Sequence, residues 1–110
     1  PVYNEWKRIL IAHKLSPSVR MSMYRGVHYG MLRAMIPFGK QNPAENENAR
    51  RAIVECLKVD LDHGGMPYKP PVDFGVEINR RAHPGYLELL KRVKQMLDPN
   101  DIMNPGKLGI

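Results

Sequence analysis

A single cysteine, Cys56, stands among the 110 residues. It cannot close an internal disulfide, and it cannot supply a cysteine-rich zinc site. Long apolar runs are missing too. No stretch approaches the roughly 20 residues a membrane-spanning helix needs, so such a helix is excluded and no membrane partner is expected. A glycine-rich phosphate loop is also lacking. The Gly64-Gly65 pair stands at the end of a predicted helix, whereas phosphate binding uses the beginning of one. The chain opens Pro1-Val2-Tyr3-Asn4, without an initiator Met or a signal-peptide pattern, and it is expected to be a piece of something longer.

What remains is ordinary in amount and uneven in placement. The 43% hydrophobic content argues against a disordered chain, and the length fits one domain, since single cores form from about 100–150 residues. Residues 1–43 hold seven bases and one acid, Glu5, while ten bases and ten acids follow. All of the formal +6 therefore lies in the first part. Such a region can meet nucleic acid, a phosphate-bearing cofactor or an acidic neighbour, or be a solvated face. The bases are scattered, with no Lys/Arg run and no aromatic-interleaved module. A nucleic-acid partner is not expected.

Periodicity predicts a helix over 2–14, with Val2, Trp6, Ile9, Leu10 and His13 on one face. From Val19 the pattern alternates, Val19, Met21 and Met23 against Arg20, Ser22 and Tyr24, and Met31–Phe38 reads as a second, antiparallel strand. Asn42-Pro43 starts a long helix over 44–62 with Ala49, Ala52, Ile53, Cys56 and Leu57 inward, and His63-Gly64-Gly65 stops it. Met66–Val72 is expected to be an edge strand, because Pro70-Pro71 forbids helix. Residues 73–82 give no clear pattern. A last helix begins near Pro84, with Tyr86, Leu89, Leu90, Val93, Met96 and Leu97 as its apolar face, and Asp98-Pro99-Asn100 ends it. The order predicts an α+β domain, a small antiparallel sheet with helices packed on one face.

Few residues carry chemistry. His63 beside Asp60 and Asp62 reads as a surface group at a helix end, and His13, His28 and His83 are too dispersed for a metal set. No metal site is expected. Cys56 reads as inert core, and core packing is the default for the seven Met residues. Two segments stand out. Tyr68-Lys69-Pro70-Pro71 places a phenol and an ammonium in one extended segment, where sharing a pocket requires a local twist or bend. The run Leu97-Asp98-Pro99-Asn100-Asp101-Ile102-Met103-Asn104-Pro105-Gly106-Lys107 carries two Asp/Asn-Pro turns.

That last run resembles the C-terminus of flavoproteins of the vanillyl-alcohol oxidase and p-cresol methylhydroxylase type. It is also similar to the ending of glycolate and lactate dehydrogenases, where Asn-Pro-Gly-Lys recurs. In the phenol-oxidising branch a Tyr-Arg pair lies some thirty to forty residues earlier, and Tyr68-Lys69 occupies the matching place. The resemblance covers roughly residues 45–110. It implies that residues 1–110 are the C-terminal part of a ferredoxin-like cap (substrate) domain, with the tail 98–110 returning toward the flavin domain. It implies hydride transfer to FAD from a para-substituted phenol, or alternatively from a 2-hydroxy acid. Tyr68 and Lys69 become the expected catalytic residues, and Asn104 and Lys107 the expected flavin-proximal ones. Lys69 departs from Arg, replacing a planar fork by a point charge. Asp101 departs from the usual glycine, which strains or re-routes that turn. Most flavin contacts belong to a domain without a counterpart here, so the expected partner is an FAD-binding domain or sister subunit. The chain alone is expected to be inactive, part of an oligomer, and cytoplasmic, with the periplasm as the alternative. A non-catalytic basic interaction module is the rival class.

Overall fold

The computed structural model describes residues 1–26 and 28–110, with Leu108 described by its backbone alone. Helix α1 (Val2–Ala12) precedes strands β1 (Ser18–Met23) and β2 (Gly30–Met35), then helix α2 (Pro43–Asp62). A 3-10 turn (Val72–Phe74), α3 (Gly75–Arg81), α4 (Pro84–Leu97) and a closing 3-10 turn (Lys107–Gly109) follow. The class is α+β, as the sequence predicts. The residues form two compact units, Pro1–Val59 and Asp60–Ile110, so the division falls near the end of α2.

In the first unit, β1 and β2 pair antiparallel with Val19 opposite Ala34, Arg20 opposite Arg33 and Met21 opposite Leu32. Alternation puts Val19, Leu32 and Ala34 on one face. That face packs on Trp6 and Leu10 of α1 and on Ala52 and Cys56 of α2, so both helices lie on the same side of the sheet. Trp6 is the largest side chain in this cluster, and its Nε1–H donates to the Cys56 carbonyl oxygen at 3.0 Å. A carbonyl has two lone pairs, so this bond joins α1 to α2 without displacing a helical one. Truncating a buried tryptophan to Ala typically costs about 3–5 kcal/mol.

Local chemistry sets the limits of α2. The Asn42 Oδ1 accepts from the N–H groups of Ala44 (3.0 Å) and Glu45 (3.4 Å), and the Glu45 carboxylate reaches back to the Asn42 side chain and the Gly39 N–H. This reciprocal arrangement satisfies donors that a helix start leaves open. At the other end Gly64 takes φ +79°, and the Gly65 N–H closes onto the Asp60 carbonyl at 2.7 Å.

Three expectations need correction. Met66–Val72 forms no strand: Pro67, Pro70 and Pro71 remove three backbone donors from seven residues, and the chain bends at Tyr68-Lys69. The unassigned stretch 73–82 is mostly helix, in α3. Core packing also fails for the methionines, since Met21, Met23, Met35, Met66, Met96 and Met103 are exposed. Met21 follows the periodicity of Val19, but the packed part of that face ends at Val19, Leu32 and Ala34. Helix α4 forms as predicted, but Tyr86, Leu89, Val93, Met96 and Leu97 of its expected apolar face are exposed, and no residue of the helix is fully buried.

His13, just past α1, is held against α2. Its Nδ1 lies 2.8 Å from the Asn48 Oδ1 and its Nε2 lies 3.1 Å from the Glu55 Oε1. The Asn48 amide nitrogen donates to the His13 carbonyl oxygen at 2.8 Å, which turns the amide oxygen toward the ring. Both ring nitrogens therefore face acceptors, and only the imidazolium donates to both. The bond to Asn48 raises the His13 pKa most and Glu55 adds to it, against partial burial and the nearby Arg51. A raised folded pKa gives stability that is full below the ordinary value of 6.5 and is lost as pH climbs through the folded value. The protein should therefore melt at higher temperature near pH 5.5 than near pH 8.5, these being about one and two units either side of that value. Glu55→Gln should flatten the difference. Identical pH slopes in the two proteins would remove His13 as the cause.

Candidate functional site

The Tyr68-Lys69 pair sits in the bend that replaces the expected strand. Because the backbone turns there, the two side chains do not diverge. The Lys69 Nζ lies 5.4 Å from the centroid of the Tyr68 ring, within reach of a cation–π attraction. Tyr68 is 72% exposed, so a ligand can approach both groups from one side. Proline locks the segment that follows, and Lys107 holds it: its ammonium donates to the Pro70 carbonyl oxygen. The Lys107 N–H in turn donates to the Asn104 carbonyl oxygen at 3.1 Å. Through these bonds the four residues picked from sequence belong to one linked stretch of the second unit. Tyr68 and Lys69 share a bend, and Lys107 and Asn104 anchor the tail beside Pro70.

The tail's course starts from Asp98, which is buried at the end of α4. Its Oδ1 accepts from the Ile102 N–H (3.0 Å) and its Oδ2 from the Met103 N–H (2.9 Å). The Lys94 ammonium, one helical turn earlier, donates to Asp98, to Asp101 (2.9 Å) and to the Met103 carbonyl oxygen (2.7 Å). Asp101 adopts φ +50°. A glycine would take that conformation without a steric cost, and Asp is among the residues that tolerate it. Its carboxylate lies 2.9 Å from the Lys94 ammonium, so this turn carries an ion pair. Beyond it, the Asn79 side-chain amide donates to the Gly109 carbonyl oxygen at 3.1 Å. A Cβ on Gly109 would lie 3.1 Å from the backbone of Gly75.

Lys94 chiefly, helped by the Met103 and Ile102 N–H groups, holds the Asp98 carboxyl below its ordinary range, against the opposing effect of burial. Bonds to Asp98 and Asp101 raise the Lys94 pKa in turn. This node escapes a sequence reading that takes Asp98 only as a helix stop. The available signal was the i,i+4 spacing of Lys94 and Asp98. A second network also went unread. Arg81 donates to Asp62 at 2.8 Å and to Glu77 at 3.2 Å, and Arg80 donates to Glu77 at 2.9 Å. Asp62 is thereby paired with Arg81, and the backbone N–H of His63 donates to the Asp60 carbonyl oxygen at 3.1 Å.

The donor set defines what a flavin could use here. Asn104 is exposed, and an amide on a turn suits the polar edge of a ring system. The Lys107 ammonium already has a backbone acceptor. Gly64 closes α2 instead of opening a helix, so it offers no pyrophosphate cradle.

Residues 75–108 match the family model described as FAD linked oxidases, C-terminal domain. No curated protein and no solved structure matches the chain. The matched stretch runs from the first residue of α3 through α4 and the Asp98 node into the closing turn. It supports a fragment of an FAD-linked oxidoreductase. The narrower phenol-oxidising type receives no support from it.

A depressed folded pKa gives stability that is present above the ordinary value of 3.8 and is lost as pH falls through the folded value. Acid should therefore release the tail. Asp98→Asn should do so at neutral pH, because an amide can accept on one oxygen only. Hydrogen exchange should speed up at Ile102 and Met103 while the amides of α1 stay protected. Unchanged exchange at Met103 would show that Asp98 does not hold the turn.

Proposed function

We propose that this chain is the C-terminal part of the cap, or substrate, domain of an FAD-linked oxidoreductase, with residues 98–110 returning toward the flavin-carrying part. The family-model match over residues 75–108 carries the reading. The tie between tail and Tyr68-Lys69 bend through Lys107 supports it, since it holds the candidate residues of both segments together. The partner is an FAD-binding domain or sister subunit that supplies most flavin contacts. The chain alone turns nothing over, and it works in a cytoplasmic oligomer.

The proposed substrate is a para-substituted phenol. Tyr68, with its exposed ring, donates a hydrogen bond to the substrate oxygen, and the Lys69 ammonium places positive charge beside it. Together they favour the phenolate, as oriented donors favour developing negative charge. A phenolate pushes electron density toward the benzylic carbon, which makes that carbon a better hydride donor. FAD, when bound, supplies the hydride acceptor. Asn104 and Lys107 position the tail, the first through an exposed amide and the second through its hold on Pro70. One observation favours a second reading. A lysine ammonium standing over an aromatic ring can bind a carboxylate as a point charge, which suits a 2-hydroxy acid.

Substrate comparison in the intact parent enzyme separates the two. Tyr68→Phe should lower kcat/KM for a 4-alkylphenol by about a hundredfold, the lower end for removing one oriented hydrogen-bond donor from a negatively charged oxygen. Lys69→Ala should instead dominate if a 2-hydroxy acid is the substrate. Unchanged phenol kinetics would remove Tyr68 from the site, and a purified parent without flavin absorbance would end the proposal.

A further inference from the structure

The β1–β2 hairpin has a composition unlike the rest of the chain. Residues 18–35 contain four Met, three Arg and two Tyr, and no Lys, Asp or Glu. Those are the residue types enriched and depleted in the buried parts of protein–protein interfaces. Here they are exposed: Met21 at 67%, Met23 at 69% and Tyr29 at 63%.

The pairing adds a second, independent feature. Arg20 stands directly opposite Arg33, on the face turned away from Val19, Leu32 and Ala34. Like charges at opposed cross-strand positions destabilise a ladder. Nothing in the first unit relieves this pair among the described residues. The Arg33 Nε donates to the Met31 sulfur. Of the acids on the part of α2 that belongs to the first unit, Glu45 bonds Gly39 and Asn42, Glu47 pairs with Arg51, and Glu55 pairs with His13. The hairpin itself lies inside an acid-free stretch between Glu5 and Glu45.

We infer that the outward face of the β1–β2 hairpin is a docking surface for an acidic protein surface, with partner carboxylates meeting Arg20 and Arg33 and partner apolar groups covering Met35, which shares that face and is 54% exposed. The partner neutralises a repulsion that the free chain carries, so association is favoured and its register is set by charge. Nucleic acid fits less well. Tyr24 and Tyr29 already face one another, with ring centroids 5.9 Å apart, whereas single-stranded recognition uses aromatic faces open to bases. This inference does not depend on the flavin reading, and either can fail alone.

The test uses the full chain and three probes: a short peptide alternating Glu and Val, its Lys–Val counterpart, and a short oligothymidylate. The Glu–Val peptide should bind, more weakly as salt rises, and should shift the Met35 methyl resonance. Arg20→Glu with Arg33→Glu should weaken that binding about tenfold, the size of one lost anchor. Arg33→Glu alone should raise the melting temperature, since it gives Arg20 an opposed carboxylate, while weakening the peptide. A merely structural arginine would move both readouts in the same direction. Tighter binding of the oligothymidylate at equal salt, equal binding of the Lys–Val peptide, shifts confined to other residues, or no peptide binding at low salt would each overturn the inference.

Discussion

The second unit depends on one carboxylate. Asp98 ends α4, takes two backbone N–H groups from the residues that reverse the chain, and holds the Lys94 ammonium against them. Remove that acceptor and the Ile102 and Met103 N–H groups lose their side-chain partner. With it, Lys107 reaches Pro70 and Gly109 reaches Asn79. The Tyr68-Lys69 bend is thus tied to the tail through the Lys107 ammonium on the Pro70 carbonyl, a bond that leaves Tyr68 exposed. A site built this way combines an anchored backbone with accessible side chains.

The uneven charge of the chain has a structural counterpart. In the second unit, acids and bases are consumed in local networks: Lys94 with Asp98 and Asp101, and Arg81 and Arg80 with Glu77 and Asp62. In the first unit the acids of α2 cap its start or meet His13 and Arg51, and the arginines of the hairpin are left facing outward. Buried contacts concentrate between α1, α2 and one sheet face, around an indole that fills space and donates a hydrogen bond. The hairpin extends from that core with its soft, polarisable side chains uncovered. Two kinds of order result, one by packing and one by charge.

Much of this was legible from sequence where the signal was local. The start of α2 was readable because Asn42 and Pro43 act on the next few residues, and its end because Gly64 takes a left-handed conformation. The strands were readable by alternation, yet their burial was not, since alternation says which residues share a face and not how far the opposing helices extend. Helix α3 was illegible: it opens with Gly75 and spans one short segment, so its support lies in the tail that packs on it. The candidate residues were found through turn chemistry, but the bond joining them crosses 37 positions. Asp98 looked like a stop signal, because its carboxylate acts on residues that follow the helix.

The approach of Gly109 to Gly75 has a consequence for variation. Gly109 is exposed to solvent, and an exposed position usually admits many residues. Here its φ is +70°, and an added Cβ would stand 2.6 Å from the Asn79 amide nitrogen. Gly75, its buried counterpart, is the first residue of α3. The backbone of Gly75, 34 positions earlier, thus fills the space a side chain at Gly109 would need. The outside of the protein here obeys the rules of its interior.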